Sequence, residues 1–211
     1  MKRVCIAIGL LVFAGCGATR SSPDAPMSAG GLTPTIEDKE AGLVGIASGF
    51  DLKAYRTVVV APFPVTDKLE DEGDRQFAAK MAAFFQIELV RRLKDSGLFQ
   101  RVVTAKDYKP VAGEKTLRLE GNITRLGRGS QAARYFAGIY GAGRARAQAD
   151  MRFVEAPAGR VVMVTADRRV ASVGMFGGSD EGHLEESFDD MARDLAKFLQ
   201  RLARGEAPRK E

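Results

Sequence analysis

Cysteine, histidine and arginine are the side chains through which this chain could do chemistry. Cys16 closes the run Phe13-Ala14-Gly15-Cys16. A thiolate is a strong nucleophile, so a cysteine behind small residues at the end of an apolar run reads as an acceptor for a lipid group. Cys5 lies inside that run, so beyond Cys16 there is no thiol for a disulfide, a redox pair or a thiolate-bound metal. His183, the single histidine, stands among Asp180, Glu181, Glu185 and Glu186; one imidazole without cysteine does not make a zinc site, and it is expected to face solvent or cap a helix. Gly127, Gly129, Gly138, Gly141 and Gly143 are interleaved with Ser130, Arg134, Tyr135 and Tyr140. Such glycines permit the close backbone approach that a bound phosphate needs. The spacing Gly138-x-x-Gly141-x-Gly143 is nevertheless not a dinucleotide fingerprint, and a strand follows rather than a helix. Gly127-Arg128-Gly129-Ser130-Gln131 lacks the second flanking glycine of a nucleophile elbow. No catalytic, cofactor-binding or metal-ligating residue is therefore nominated.

Arginine remains. Lys115 to Arg169 holds eleven Lys plus Arg against Glu120, Asp150, Glu155 and Asp167, a local excess of +7. Arg134, Tyr135, Tyr140, Arg144, Arg146, Arg152 and Arg169 are the candidate partner-binding residues, on a basic sheet face suited to an anionic envelope component or an acidic envelope protein. The alternative is a solvated face whose charges pair across strands.

The N-terminus says where such a face would be used. Met1-Lys2-Arg3 is basic and Val4 to Phe13 apolar, too short to span a bilayer, which takes about 20 residues. The pattern looks like a bacterial lipoprotein signal: residues 1–15 would be removed and Cys16 acylated as the new N-terminus. Phe13 stands where Leu is usual, and Gly17 rather than Asp follows the cysteine, which implies the outer membrane with the domain facing the periplasm. Without the leader the chain keeps 30 Lys plus Arg against 27 Asp plus Glu. That modest excess, with export, argues against a nucleic-acid partner. Residues 16–49, rich in Ser, Pro, Gly and Ala and broken by Pro23, Pro26 and Pro34, read as a flexible tether, with Ile36 to Ile46 as a possible partner-binding segment instead.

The elements that must position the arginines follow from periodicity. Thr57 to Ala61, closed by Pro62, predicts a buried strand. Asp74 caps a helix to about Ser96 with stripe Phe77, Met81, Phe85, Leu89 and Leu93, ended by Gly97. Phe84, Ile87 and Val90 lie off that stripe, which suggests burial on a second side or an oligomer contact. Phe99 to Thr104 predicts another strand. Leu117, Leu119, Gly121 and Ile123 alternate with polar residues, as do Ala145, Ala147, Ala149, Met151 and Phe153. Glu155 to Gly159 turns into a strand from Arg160 to Ala171, in a register pairing Phe153 with Val162, Met151 with Val164 and Ala149 with Ala166. Leu184, Phe188, Met191, Leu195, Phe198 and Leu202 mark a closing helix from about Gly182 to Arg204. The expectation is one α+β domain over 50–204, two helices on a mostly antiparallel sheet, with a disordered tail at 205–211.

The runs Leu119-Glu120-Gly121-Asn122-Ile123-Thr124, Gly129-Ser130-Gln131-Ala132-Ala133-Arg134-Tyr135 and Gly141-Ala142-Gly143-Arg144-Ala145 resemble a family of uncharacterised bacterial lipoproteins defined only as a domain of unknown function. The resemblance covers roughly Phe50 to Ala203, and the Gly-Ser-x-Ala-Ala-Arg and Gly-x-Gly pair is its most specific part. More remotely, the order of elements is similar to the periplasmic domain of the curli-secretion lipoprotein and the N-terminal domain of TolB. These resemblances imply a fold and supply no catalytic residues. The functional expectation is a membrane-anchored, non-enzymatic interaction module of the cell envelope; the alternative is a self-assembling structural or secretion-type subunit, and an enzyme is the least favoured.

Overall fold

The computed structural model describes residues 19–127, 145–170 and 180–210. Three short strands come first: β1 (Thr19–Ser21), β2 (Ile36–Asp38) and β3 (Gly42–Ile46). A 3-10 turn at Leu52–Ala54 leads to β4 (Thr57–Val60), α1 (Glu72–Asp95) and β5 (Arg101–Thr104). Then come the long strands β6 (Thr116–Gly127), β7 (Arg146–Ala156) and β8 (Val161–Val170), and α2 (Asp180–Ala203). The sheet order is β2-β3-β8-β7-β6-β4-β5, with β1 also paired to β8. Only β4 runs parallel to its neighbours, β5 and β6; the other pairings are antiparallel. This is the expected α+β architecture.

Both helices lie on one face of the sheet because each carries its apolar stripe there. Met81, Phe85, Leu89 and Leu93 of α1 and Leu184, Phe188, Met191, Leu195 and Phe198 of α2 are buried in one core with Val58, Val60, Leu117, Leu119, Ile123 and Phe153. Edge-on and tilted aromatic contacts join the layers: the Phe63 and Phe85 rings are 5.1 Å apart and those of Phe85 and Phe188 4.9 Å. Helix α1 is capped by Asp71, whose carboxylate accepts from the Asp74 N–H at 2.8 Å; Asp74 sits inside the first turn rather than at the cap. Gly97 ends the helix at φ +67°, in the left-handed region where a side chain is strained.

Three expectations are corrected. From Thr19 onward, the stretch read as a tether is part of the domain. β3 pairs with β8 from Leu43↔Ala166 to Ile46↔Met163, and β1 continues along the same edge of β8 from Thr19↔Val170 to Ser21↔Arg168. Prolines and glycines here shape turns between short edge strands, and strands of three to five residues are too brief for periodicity to register. Second, the β7–β8 register is Phe153↔Met163, Met151↔Thr165 and Ala149↔Asp167. Next to the turn Val154 pairs with Val161, which is the expected register. A bulge between Phe153 and Val154 then takes up Val162 as an extra residue and shifts every later pair by one. Third, residues 205–210 are not a free tail: the Arg209 N–H donates to Asp38 at 3.0 Å, its carbonyl accepts from the Lys39 N–H at 2.9 Å, and Lys210 pairs with Glu37 at 2.7 Å.

Candidate interaction surface

The face of the sheet away from the helices is divided in two. Over β7 and β8 it is covered by a strap, residues 22–35, and it is the polar side of β7 that holds the strap down. The Gln148 side chain accepts from the Asp24 N–H at 2.7 Å and donates to the Asp24 carbonyl at 2.9 Å, while Asp150 accepts from the Met27 N–H at 3.2 Å. Gln148 and Asp150 are buried in consequence, although strand alternation alone would send them to solvent. Burial raises the Asp150 pKa above its ordinary value, against the lowering effect of its bonds from Gln148 and Met27.

Beyond the strap, Thr57 and Val59 of β4 and Thr116 of β6 are buried on this face as well, and it is exposed only in a strip around β6 and β7. Arg118 on β6 and Arg152 on β7 have side chains 54% and 42% exposed, and both reach Glu120, at 2.8 and 2.7 Å. One carboxylate against two guanidiniums leaves this strip one positive charge in excess. Asn122 and Met27 border it, and Met27 is one of the few large apolar side chains left exposed.

Of the residues nominated from the sequence, Arg146 and Arg152 do lie on this outer face. Arg146 is exposed at the start of β7 and has no ion-pair partner among the described residues. Arg169 is not on it. The bulge-shifted register pairs Arg169 with Ala147, whose side chain points into the core. Its guanidinium is therefore buried beneath α2, 2.9 Å from Asp167 and 2.8 Å from Asp194. Burial opposes its charge, but the two carboxylates outweigh that and raise its pKa. This also accounts for the small residues at the start of β7: Ala145, Ala147 and Ala149 leave room for an ion-pair cluster as well as a helix. Cys16, Arg134, Tyr135, Tyr140 and Arg144 lie outside the described residues. His183 is partly buried, with Nδ1 4.0 Å from Glu186.

The cluster under α2 extends to the N-terminal strands. Arg20 on β1 donates to Asp167 at 2.9 and 3.0 Å and to the carbonyls of Lys39 and Glu40. Nearby, Arg201 of α2 holds Asp38 and Glu40. These residues were not nominated from the sequence, since charges on short strands carry no sign of burial until the helix is laid over them. Among the described residues no group of three or more His, Cys, Asp or Glu could hold a metal ion, and no helix is long and apolar enough to cross a membrane.

Two helices on one face of a largely antiparallel sheet, with a strap over part of the other, define the class of this domain. The chain belongs to the DUF4410 family, a domain of unknown function, whose model matches residues 56–196. No curated protein matches the chain. Among solved structures it is similar to the PelC dodecamer from Paraburkholderia phytofirmans, at 13% identity over 72% of this chain and 98% of that one, with a TM-score of 0.45. It is also similar to protein XCC0632 from Xanthomonas campestris, of the DUF330 family, at 11% identity over 76% of this chain and 92% of that one, also with a TM-score of 0.45.

Proposed function

We propose that this protein is a lipoprotein of the bacterial envelope, anchored at the outer membrane through an acylated Cys16, whose periplasm-facing domain is a non-enzymatic interaction module. The basic, apolar and small-residue run that ends at Cys16 supports the anchoring. The observation that carries the interaction role is the exposed strip of the outer sheet face where Arg118 and Arg152 share the single acid Glu120. Such a face suits an anionic envelope component or the acidic surface of an envelope protein, bound with strong salt dependence. Two measurements test this reading. Cys16→Ser should abolish incorporation of labelled palmitate, and persistent labelling would sink the anchoring. Replacing Arg118 and Arg152 with Ser should weaken salt-sensitive retention of the domain on envelope extracts, and unchanged retention would sink the basic-face role.

A second reading, a self-assembling structural or secretion-type subunit, has one observation in its favour. Ile87 on α1 is 63% exposed beside Val90, and the two line an open groove with Gln86, Arg91, Lys94 and Thr104. Under this reading the protein sediments as an assembly that Ile87→Asp disperses; a monomer insensitive to Ile87→Asp excludes it.

A further inference from the structure

From the short reach between Cys16 and β1, together with the row of residues at that end of the sheet, we infer that the domain stands directly on the membrane, with the Thr19–Val170–Arg146 end of its sheet against anionic lipid headgroups. The inference rests on the anchoring reading above and adds orientation and contact to it. Gly17 and Ala18 alone separate Cys16 from Thr19, the first residue of β1. Three Cα steps of 3.8 Å span at most about 11 Å, so an acyl-bearing Cys16 keeps Thr19 within the depth of a headgroup layer. A tether of thirty residues would have left the domain free to tumble; the pairing of β1 with β8 removes that freedom.

The ladder then says what else comes down with Thr19. Thr19 pairs with Val170, Val170 with Arg146, and Arg146 with Gly127, a single row across four strands. At about 4.8 Å per strand, Arg146 lies roughly 10 Å from Thr19. Its side chain is exposed and has no ion-pair partner among the described residues. One step inward, Arg125 is half exposed, and Arg168 faces the same side. Arg125 and Arg168 are answered by Asp24, 3.7 Å from Arg125 and 2.6 Å from Arg168, and Arg125 also by Asp67 at 3.6 Å and by the nearby charge of Asp150. Arg146 is left as the charge at this end without an ion-pair partner among the described residues. An arginine that this end of the sheet brings against an anionic leaflet is attracted to it over a range of about 8 Å at physiological salt. The opposite end of the same strands, at Ala158 in the β7–β8 turn, is about 35 Å away.

The test uses the mature acylated protein in vesicles of phosphatidylethanolamine and phosphatidylglycerol carrying a headgroup nitroxide lipid. With Cys16 acylated, Gly127→Cys, in the same row as Arg146 and with room for a side chain, and Ala158→Cys each place one fluorescent label. The label at position 127 should be strongly quenched and that at 158 barely. Equal quenching of the two on membrane-bound protein overturns the inference while leaving the anchor intact. Absence of an acyl group on Cys16 overturns the reading beneath it. A Gly-Ser spacer of about 20 residues inserted after Ala18, with a span of roughly 25 Å, separates tether length from headgroup contact. In the spacer protein, the quenching difference should persist in these vesicles and be lost in phosphatidylcholine alone. It should also be lost in the anionic vesicles when Arg125 is changed to Glu. Spacer protein that shows no difference on the anionic vesicles refutes the headgroup contact.

Discussion

Arg201, near the C-terminal end of α2, donates through Nη2 to both carboxylate oxygens of Asp38, at 2.8 and 2.7 Å, across 163 positions of sequence. Its Nε donates to Glu40 at 2.6 Å, and both Arg201 and Asp38 are buried. Asp38 also accepts from the N–H groups of Glu40, Ala41 and Arg209 at 2.9, 3.1 and 3.0 Å. One carboxylate therefore holds together the β2–β3 turn, the closing helix and the last residues of the chain.

Removing Asp38 should be costly. Asp38→Ala leaves a buried guanidinium with only Glu40 and three N–H groups without their acceptor, and breaking a buried pair from one side costs about 3–5 kcal/mol. Urea unfolding should show that loss, together with faster proteolysis at 205–210. The double variant Asp38→Leu with Arg201→Met removes both charges and should recover part of the stability.

Stability should fall in acid through the same groups. Burial opposes the charged form of Asp38, but Arg201 and the surrounding N–H groups outweigh it and hold its pKa below 3.8; Arg169 and Lys197 do the same for Asp194. A carboxyl whose folded pKa is lowered contributes stability that is present above 3.8 and lost as pH falls through the folded value. Asp150, raised by burial, acts in the opposite sense, because its protonation favours the native state. Unfolding free energy measured from neutral pH downward should therefore decline below about pH 4. The decline should be shallower in Asp38→Asn and steeper in Asp150→Asn.

Deleting residues 19–49 tests whether that segment belongs to the domain. The deletion strips β1 and β3 from the edge of β8, uncovers Gln148 and Asp150, and leaves Arg201 without both of its acids. The truncated protein should be at least about 3 kcal/mol less stable and should aggregate in sedimentation. A protein with unaltered unfolding would restore the tether reading.

Gly121 is required by the closeness of β6 to β7. A Cβ there would lie 2.0 Å from the Asp150 carbonyl oxygen and 2.9 Å from the Met151 Cα, both backbone atoms that cannot turn aside. Gly121→Ala should cost at least about 2 kcal/mol by thermal or chemical unfolding. Gly113→Ala, with nothing within 4 Å of the added carbon but a φ of +76°, should cost about 1 kcal/mol.

Periodicity made both helices and the long strands legible, because each repeats its apolar residues often enough to show one face: Met81 to Leu93, Leu184 to Phe198, Leu117 to Ile123 and Ala145 to Phe153. The same alternation pointed to Arg146 and Arg152 as outer-face residues. It failed for Arg169, since a bulge of one residue beside the β7–β8 turn moves every later side chain on β8 relative to β7, and nothing in the local composition of Val161 to Val164 marks it.

The sequence by itself determined the helices, the core and the lipid-acceptor pattern at Cys16, because these depend on local spacing and residue type. Only the tertiary structure decided what the polar residues do. Gln148 and Asp150 were legible as a polar side of a strand, but the strap that buries them comes from more than a hundred residues away. Likewise Asp38 and Arg201 become a buried pair only when α2 is laid beside the β2–β3 turn. Burial of a charge is a property of the neighbours brought to it, so the stretch that composition presented as a loose tether became part of the domain once its partners were in place.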